Sequence, residues 1–278
     1  MKTLQRGFAV LLAVLFVFAF AALPASAAGE GLHYLVLGDS IAAGSGLRNP
    51  GEACYGRIVA NTNGYSYQNL GHDGDRTSAL LSKLDRGDFA SAVRRADIIS
   101  ISIGGNDFFT NNSPGLFFEV MFGYHGRINS IASDMRRNFA GIIEKIKRYN
   151  PNAVILMQTL YNPTIYPFRF GVEEAVKRVN SMIYDYLNDH PGAYHIVDVK
   201  SAIGADPTYI CIDTIHPNAK GNERIAKVIL QKLYDLGLGS RTDPVIRVKG
   251  VSTGEIDFAA IGAWFSNLGR YFTRAYSR

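Results

Sequence analysis

Gly38, Asp39 and Ser40 are the first residues of the chain that could do chemistry, because they follow directly after an apolar run. An apolar run that stops at Gly-Asp-Ser is typical of a buried parallel strand that brings a serine hydroxyl to the carboxyl edge of a sheet. Ligands of open α/β sheets bind at that edge. Ser40 is therefore a candidate nucleophile, provided that other segments supply a base, a residue that orients the base, and hydrogen-bond donors for an oxyanion.

The segment Asp213-Thr214-Ile215-His216-Pro217 supplies a candidate for the base. A carboxylate three residues before a histidine, on one loop turn, can accept the Nδ1 proton of the ring and hold Nε2 toward a hydroxyl. We therefore predict that His216 is the base and that Asp213 orients it. By itself this spacing is a weak signal, because ion pairs on a protein surface give the same pattern.

Two further segments hold candidate donors for an oxyanion. Asn106 follows Gly104-Gly105 at the end of a β-branched run, and Gly71 follows a short strand-like segment. The side-chain amide of Asn106 could point into a cleft, and the N–H of Gly71 could approach a ligand closely because glycine has no Cβ. Ordinary turns are also rich in these residue types, which is the alternative for both segments.

Alternating strand-like and helix-like segments would position these groups. Strands that alternate with helices imply parallel strands joined by crossovers, so the loops that follow the strands open on the same edge of the sheet. We therefore predict a three-layer α/β/α sandwich with a five-stranded parallel sheet. The predicted strands are residues 33–37, 67–70, 97–103, 153–158 and 194–199, and the predicted helices are residues 76–84, 88–94, 127–149, 172–187 and 218–236.

Taken together, the motifs point to a known family. Gly38-Asp39-Ser40, Gly71, Gly104-Gly105-Asn106-Asp107 and Asp213-x-x-His216 occur in that order along the chain. With them, over most of residues 33–236, the chain resembles the GDSL/SGNH hydrolase family. Each motif alone is weak, but the ordered set is strongly specific.

The resemblance implies a role for each motif and a fold of the flavodoxin-like kind. Ser40 would be the nucleophile and, through its own N–H, one oxyanion donor. The Gly71 N–H and Asn106 Nδ2 would be the other two donors. His216 would act as general base and then as general acid, with Asp213 orienting its ring. No cofactor and no metal are expected.

The substrate class is left open by the sequence. The leading interpretation is an ester hydrolase that forms an acyl-serine intermediate on a lipid or lysophospholipid ester. The aromatic segment 108–124 fits it as an acyl wall or lid beside Asn106, although the same segment could be core. One alternative is an acetylesterase acting on cell-wall or plant polysaccharide. Another is a non-catalytic surface-binding module that kept the fold.

The first 27 residues predict a secretory signal peptide. Lys2 and Arg6 precede an apolar run at residues 8–23, and small residues follow with Ala25-x-Ala27 spacing. The run is shorter than the roughly 20 residues that span a bilayer, so we expect cleavage after Ala27 and a secreted or envelope-associated protein. We expect residues 28–240 to form the hydrolase domain and residues 241–278 a C-terminal extension.

The net charge and the two cysteines indicate which partners and which cysteine redox state to expect. Removal of two positive charges with the signal peptide lowers the net charge from +5 to +3, and the extension carries all of that +3. A neutral body argues against nucleic acid as a partner. The extension has helical apolar spacing, so residues 255–278 could pack on the body or contact a lipid surface.

Cys54 and Cys211 predict a disulfide in an exported protein, with two free thiols as the alternative.

Overall fold

A computed structural model of the protein describes residues 31–108, 113–163 and 169–255. The predicted signal peptide and residues 256–278 of the predicted amphipathic helix lie outside the described residues. Within the described ranges, none of the helices is both long enough and apolar enough to pass through a bilayer.

A five-stranded, all-parallel sheet forms the centre of the molecule, in the order β2-β1-β3-β4-β5. This confirms the predicted fold class. Strands β1 and β3 lie inside the sheet and are almost wholly buried, which explains why each reads as a continuous apolar or β-branched run. The bounds are β1 (His33–Gly38), β2 (Ser66–Asn69), β3 (Ile98–Ser102), β4 (Val154–Gln158) and β5 (His195–Val197).

Helices cover both faces of the sheet. Alternate residues of β1 enter opposite cores: Leu35 and Leu37 pack on one face, and Tyr34 and Val36 on the other. The described helices are α1 (Ser40–Ala43), α2 (Pro50–Ala53), α3 (Tyr55–Asn63), α4 (Thr77–Asp85), α5 (Ala90–Arg95), α6 (Gly105–Phe108), α7 (Ser113–Met121), α8 (Gly126–Tyr149), α9 (Arg169–Asp189), α10 (Val199–Ile203) and α11 (Ala219–Asp235).

The two helical layers are distinct. The core under α4, α5, α8 and α9 contains Leu35 and Leu37, whereas α3, α10 and α11 enclose the core that contains Tyr34 and Val36. The sandwich therefore has three layers, as the sequence predicts.

Several elements differ from the sequence prediction, which lacks the short helices α1, α2, α6 and α10, and three of the differences have a clear physical basis. Helix α3 is missing from the prediction because seven of its nine residues are buried and several of them are small or polar, so it shows no simple apolar stripe. Where α7 forms, the sequence predicts only an aromatic segment, residues 108–124. Strand β5 ends earlier than predicted because Asp198 caps α10, where its carboxylate accepts a hydrogen bond from the Ser201 N–H.

The strand order places a topological switch point between β1 and β3, because the chain moves from β1 to β2 in one direction and returns to β3 on the other side. Ligands of such sheets bind outside the carboxyl ends of the strands at this point. Ser40 follows β1 and Asn106 follows β3, so both lie at the switch point.

Candidate active site

Ser40 is the first residue of α1, directly after β1. Asp39 caps this short helix: its Oδ1 accepts a hydrogen bond from the Ile41 N–H at 3.0 Å, and its own N–H donates to Ser102 O at 3.0 Å. Gly38 has φ +133°, and a Cβ there would lie 1.9 Å from Ser102 O, so only glycine fits between β1 and β3. Ser40 is thus held at the carboxyl edge of the sheet by its neighbours.

The Asp213–His216 pair forms as the sequence predicts. The imidazole Nδ1 of His216 lies 2.8 Å from Asp213 Oδ2, and Asp213 Oδ1 accepts the N–H groups of Ile215 and His216, each at 2.9 Å. Partial burial opposes ionisation, but these hydrogen bonds lower the pKa of the Asp213 carboxyl below its usual value. An ionised Asp213 holds the proton of His216 on Nδ1, which leaves Nε2 free to act as a base.

The turn of this loop has an unusual backbone. Thr214 has φ +59°, in the left-handed region that costs a β-branched residue on the order of 1 kcal/mol or more. The turn is held by the bonds to Asp213 and by the Thr214 N–H, which donates to Cys211 O at 3.0 Å. The strain therefore lies between the two members of the acid–base pair.

The turn after α1 brings the nucleophile segment against the acid–base loop. Gly46 has φ +99°, and a Cβ there would lie 2.6 Å from Pro217 O and 2.9 Å from His216 Cβ. Ser40 and Ile215 line the same cleft, together with Asn106. In the described part of the chain the Ser40 hydroxyl has no hydrogen-bond partner, so its contact with His216 stays a prediction. Catalytic hydrogen bonds often shorten only when substrate binds.

The two predicted donors outside α1 lie near the nucleophile but are already engaged. A Cβ on Gly71 would lie 2.5 Å from Ala43 N, so this glycine packs against the backbone of α1. Its N–H donates to Asn69 Oδ1 at 2.8 Å, and Asn106 Nδ2 donates to Asp75 O at 3.0 Å. The amide of Asn106 has a second hydrogen to offer. The oxyanion role of both residues stays a prediction.

Asp107 fixes the position of Asn106 from the next residue. Its carboxylate accepts two hydrogen bonds from Thr77, from Oγ1 at 2.6 Å and from the N–H at 3.0 Å. Burial raises the pKa of Asp107, although the bonds from Thr77 oppose that shift. These bonds join α6 to the start of α4, and therefore join the loop that carries Asn106 to the loop that carries Gly71.

Tyr161 is a functional candidate that the motifs did not identify. It follows β4, is 6% exposed, and its hydroxyl donates to Ile215 O at 2.7 Å. Burial, and then the charges of Asp39 and Asp213, raise the pKa of this hydroxyl well above its usual value, so it stays protonated as a donor. Its place after β4, at the same edge as the other motifs, was the available signal.

A narrow apolar cleft opens beside Ser40, with a volume of about 70 Å³. Asp39 is one of the residues that line it, and burial raises the pKa of this carboxyl to about 7. The apolar side chains that line the cleft are Ile41, Leu160, Pro163, Val172, Val176 and Ile215.

The prediction of a disulfide between Cys54 and Cys211 is wrong: both cysteines are free and buried. Each thiol has its own partner, because Cys54 Sγ lies 3.3 Å from the Tyr67 hydroxyl and Cys211 Sγ donates to Gly46 O at 3.2 Å. The turn 44–46 separates them. A Cβ on Gly44 would meet Cys54 Cβ at 2.5 Å, and one on Gly46 would meet Cys211 Sγ at 3.0 Å.

A second serine lies in a hydrolase-like motif, Gly250-Val251-Ser252-Thr253-Gly254. A nucleophile of the Gly-x-Ser-x-Gly type needs a sharp turn between a strand and a helix. Ser252 instead lies in an extended segment that pairs with Leu47, and its Oγ accepts a hydrogen bond from the Ala219 N–H at 3.1 Å. This serine has a structural position, and Ser40 remains the candidate nucleophile.

Comparison with known proteins identifies the family of this chain. The family model described as the GDSL-like lipase/acylhydrolase family matches residues 36–224, a range that includes every predicted catalytic and oxyanion residue. The chain belongs to this family. Membership in the GDSL-like family supports ester hydrolysis as the general activity.

Relatives of this GDSL-like protein include lipases. The chain is 26% identical over 220 residues to the spore germination lipase LipC of Bacillus licheniformis, a match that covers 75% of this chain and 97% of LipC. Among solved structures it is similar to the lipase Lip_vut3 from a goat rumen metagenome, with a TM-score of 0.61, 21% identity, and 76% and 100% of the two chains covered.

A second similar structure is phospholipase A1 from Streptomyces albidoflavus NA297, with a TM-score of 0.59, 18% identity, and 73% and 100% of the two chains covered. At these identities the structural likeness shows the fold, and it agrees with the five-stranded parallel sheet described above.

Proposed function

We propose that this protein is a serine hydrolase of carboxylic esters that works through an acyl-serine intermediate. The observation that carries the proposal is that Ser40 and the Asp213–His216 loop flank one apolar cleft, with Ile215 of that loop in its wall. An apolar cleft beside a hydroxyl and an oriented imidazole suits an acyl group whose carbonyl carbon is attacked at its mouth.

The reaction follows from these positions. Ser40 Oγ attacks the ester carbonyl carbon while His216 Nε2 takes its proton, and the carbonyl electrons move to the oxygen. The Ser40 N–H and the second hydrogen of the Asn106 amide stabilise that oxyanion, and the Gly71 N–H joins them by exchanging Asn69 Oδ1 for the oxyanion. When the intermediate collapses, His216 gives the proton to the departing alcohol. Water then attacks the acyl-serine by the same route and releases the acid.

For this protein we propose a lipid or lysophospholipid ester as the substrate. The apolar lining of the cleft supports an aliphatic acyl group, and LipC and phospholipase A1 are named for lipid substrates. The second candidate is an acetyl ester of a polysaccharide. The small volume of the cleft, about 70 Å³, favours it, because that space holds only a few carbon atoms.

We also propose that the protein is exported after cleavage behind Ala27, and that residues 28–240 form the hydrolase domain. The apolar run at residues 8–23 supports export.

Covalent labelling tests the nucleophile. We expect an alkyl fluorophosphonate to add one label per chain and peptide mass spectrometry to find it on Ser40. Ser40→Ala should abolish the label and lower kcat on p-nitrophenyl butyrate by about 10³-fold or more. Ser45→Ala is the matched control, because this neighbouring serine donates to Asp73 Oδ1 at 2.6 Å and has no catalytic assignment. Turnover by Ser40→Ala close to that of the parent would overturn the proposal.

Two further measurements separate the alternatives. Asn106→Ala should lower kcat on the order of 10²-fold, because one oxyanion donor is lost. A series of p-nitrophenyl esters of increasing acyl length, run beside acetylated xylan and a lysophospholipid, distinguishes the lipid substrate from the acetyl ester. A folded parent chain that takes up no label would instead favour the non-catalytic binding module.

A further inference from the structure

Helix α7 and the turn after it expose a run of large apolar side chains. Met121, Phe122 and Tyr124 are 55%, 69% and 70% exposed, and Phe118 is 49% exposed. Single exposed apolar residues are common on soluble proteins, but a contiguous group of this size indicates a binding surface. We call these four residues the α7 ridge.

The ridge is fixed to the body from behind. Leu116 is 1% exposed and Val120 packs against the same core, so these residues form the inner face of α7 at i, i+4 spacing. The rings of Phe118 and Phe122 stack with centroids 6.4 Å apart on the outer side. Because the inner face is already occupied by Leu116 and Val120, α7 cannot turn its ridge inward without exposing them.

A basic groove lies between the two helices against which α7 packs. It has a volume of about 470 Å³, lies between α8 and α9, and is lined by the cationic side chains of Arg136, Lys177 and Arg178. Glu174 pairs with Arg178 at 2.9 Å, but Arg178 Nε is buried without a hydrogen-bond partner. Lys177 has no ion pair with any described residue. Arg136 pairs with Asp185 at 3.5 Å, so Lys177 supplies the unpaired positive charge of the groove.

Helix α9 lines both the groove and the cleft, and α7, which carries the ridge, packs on it. Helix α7 packs against both α8 and α9, so the ridge adjoins the helices that form the groove. On α9, Val172 and Val176 line the cleft beside Ser40, and Lys177 and Arg178 line the groove. The groove and the cleft are therefore lined by different faces of the same part of α9.

We propose that the α7 ridge and the basic groove form a docking site for a lipid bilayer that carries anionic head groups. Large apolar side chains flanked by cations are the pattern of interfacial membrane binding, in which the apolar groups enter the acyl boundary and the cations meet phosphate. Charge complementarity favours this occupant over a second copy of the chain, whose groove would bring like charges together. The inference rests on the proposed hydrolysis of lipid esters.

Vesicle flotation with the Ser40→Ala variant tests docking without turnover. We expect binding to vesicles of phosphatidylcholine mixed with phosphatidylglycerol, and weaker binding to phosphatidylcholine alone. The double variant Met121→Ser, Phe122→Ser should lose about tenfold or more in affinity for both vesicles. Tyr234→Ser is its control, because Tyr234 is 54% exposed on α11, away from the ridge.

The groove has its own pair of variants. Lys177→Gln should weaken binding to the anionic vesicles and reduce its dependence on salt, with little effect on phosphatidylcholine vesicles. Arg148→Gln, at the far end of α8, also removes one positive charge. It should change neither the binding to anionic vesicles nor its dependence on salt. Circular dichroism of each variant checks that the fold is retained.

The outcomes separate this proposal from the proposed function. Among the described residues, neither Met121 nor Phe122 lines the cleft beside Ser40, so the described part of segment 108–124 does not form the acyl wall that the sequence allowed. Turnover of dissolved p-nitrophenyl butyrate by the ridge double variant, made with Ser40 present, should therefore match the parent, while hydrolysis of lipid in anionic vesicles should fall. Vesicle binding without any ester hydrolysis would contradict the proposed function and support the docking site. Failure of the parent to bind either vesicle, equal binding by the ridge variant, or a dimer that the ridge variant dissolves would overturn the docking site.

Discussion

At the scale of single residues, Tyr161 joins the β4 edge to the acid–base loop through one hydrogen bond. Its hydroxyl donates to Ile215 O, next to His216, from a buried position at the wall of the cleft. Tyr161→Phe keeps the ring and leaves that carbonyl without its donor, which costs about 1–3 kcal/mol. We expect kcat on a dissolved ester to fall about tenfold because the loop that carries His216 loosens, with a smaller change in KM.

A second tyrosine provides the control for this change. The hydroxyl of Tyr65 donates to Leu238 O at 2.6 Å, and Tyr65 precedes β2, at the edge of the sheet opposite to the candidate site. Tyr65→Phe removes the same kind of bond, so both variants should lose similar stability in urea denaturation. Only Tyr161→Phe should lose turnover. Equal kcat in the two variants would show that Tyr161 is structural and does not position His216.

The buried carboxyl of Asp39 predicts a pH dependence of stability. Its pKa in the folded protein is about 7, against an ordinary value of 3.8, because of its burial. At pH values between these two pKa values, the folded state binds more protons than the unfolded state. Asp39 therefore lowers the free energy of unfolding progressively as the pH rises from about 4 to about 7, and it has no such effect below about pH 4. Asp39→Asn keeps the acceptor for the Ile41 N–H and removes the titration.

We therefore expect the free energy of unfolding of Asp39→Asn, relative to the parent, to improve on the order of 2 kcal/mol between pH 5 and pH 8. Urea denaturation at the two pH values measures it. Asp189→Asn, at the exposed end of α9, is the control and should show no such gain. A relative stability that stays constant or moves the other way would contradict the raised pKa.

The residues of the site were predictable where their interaction partners are close in sequence. Asp213 and His216 share one turn, and their spacing sufficed to predict their pairing. Tyr161 could not be found in this way, because its partner is a backbone carbonyl distant in sequence. Cys54 and Cys211 were wrongly paired, since sequence does not show that the turn 44–46 passes between them.

At the scale of elements, residues 241–255 form a strap that lies along the body. The Thr253 N–H donates to Gly46 O at 2.9 Å, and Gly254 O accepts from the Ile212 N–H at 3.2 Å. The strap therefore holds the turn after the nucleophile and the loop before Asp213 at the same time. Residues 241–252 contain no helical pattern, so the sequence predicts either a linker or an edge segment there.

Two truncations test the strap. A chain that ends at Ser240 should melt at a lower temperature and lose kcat/KM on p-nitrophenyl butyrate by about tenfold or more, because Gly46 and Ile212 both lose their partners. A chain that ends at Glu255 keeps the strap and should retain both properties. Retained turnover after truncation at Ser240 would show that the strap has no role in positioning the site. Comparison of the chain that ends at Glu255 with the full chain shows whether residues 256–278 add to vesicle binding.

The elements themselves were predictable where burial imposes a simple period. The inner strands β1 and β3 are buried on both faces and read as unbroken apolar runs, and α8 buries a single stripe and reads as an amphipathic helix. Helix α3 packs tightly through small residues such as Gly56, where a Cβ would lie 2.9 Å from Val36 Cγ2. Packing of that kind leaves no periodic signal.

At the scale of the whole molecule, the predicted export and the two free thiols lead to one prediction. Cys54 and Cys211 are 1% and 0% exposed, and the turn 44–46 keeps them apart, so an oxidising compartment should leave them reduced. Protein collected from the medium and never reduced should react slowly with a thiol reagent while folded and yield two thiols per chain in denaturant. Cys54→Ala should yield one. Fewer than two thiols from the unfolded, unreduced parent would mean that the exported chain pairs its cysteines after all, with the turn 44–46 displaced from its place beside His216.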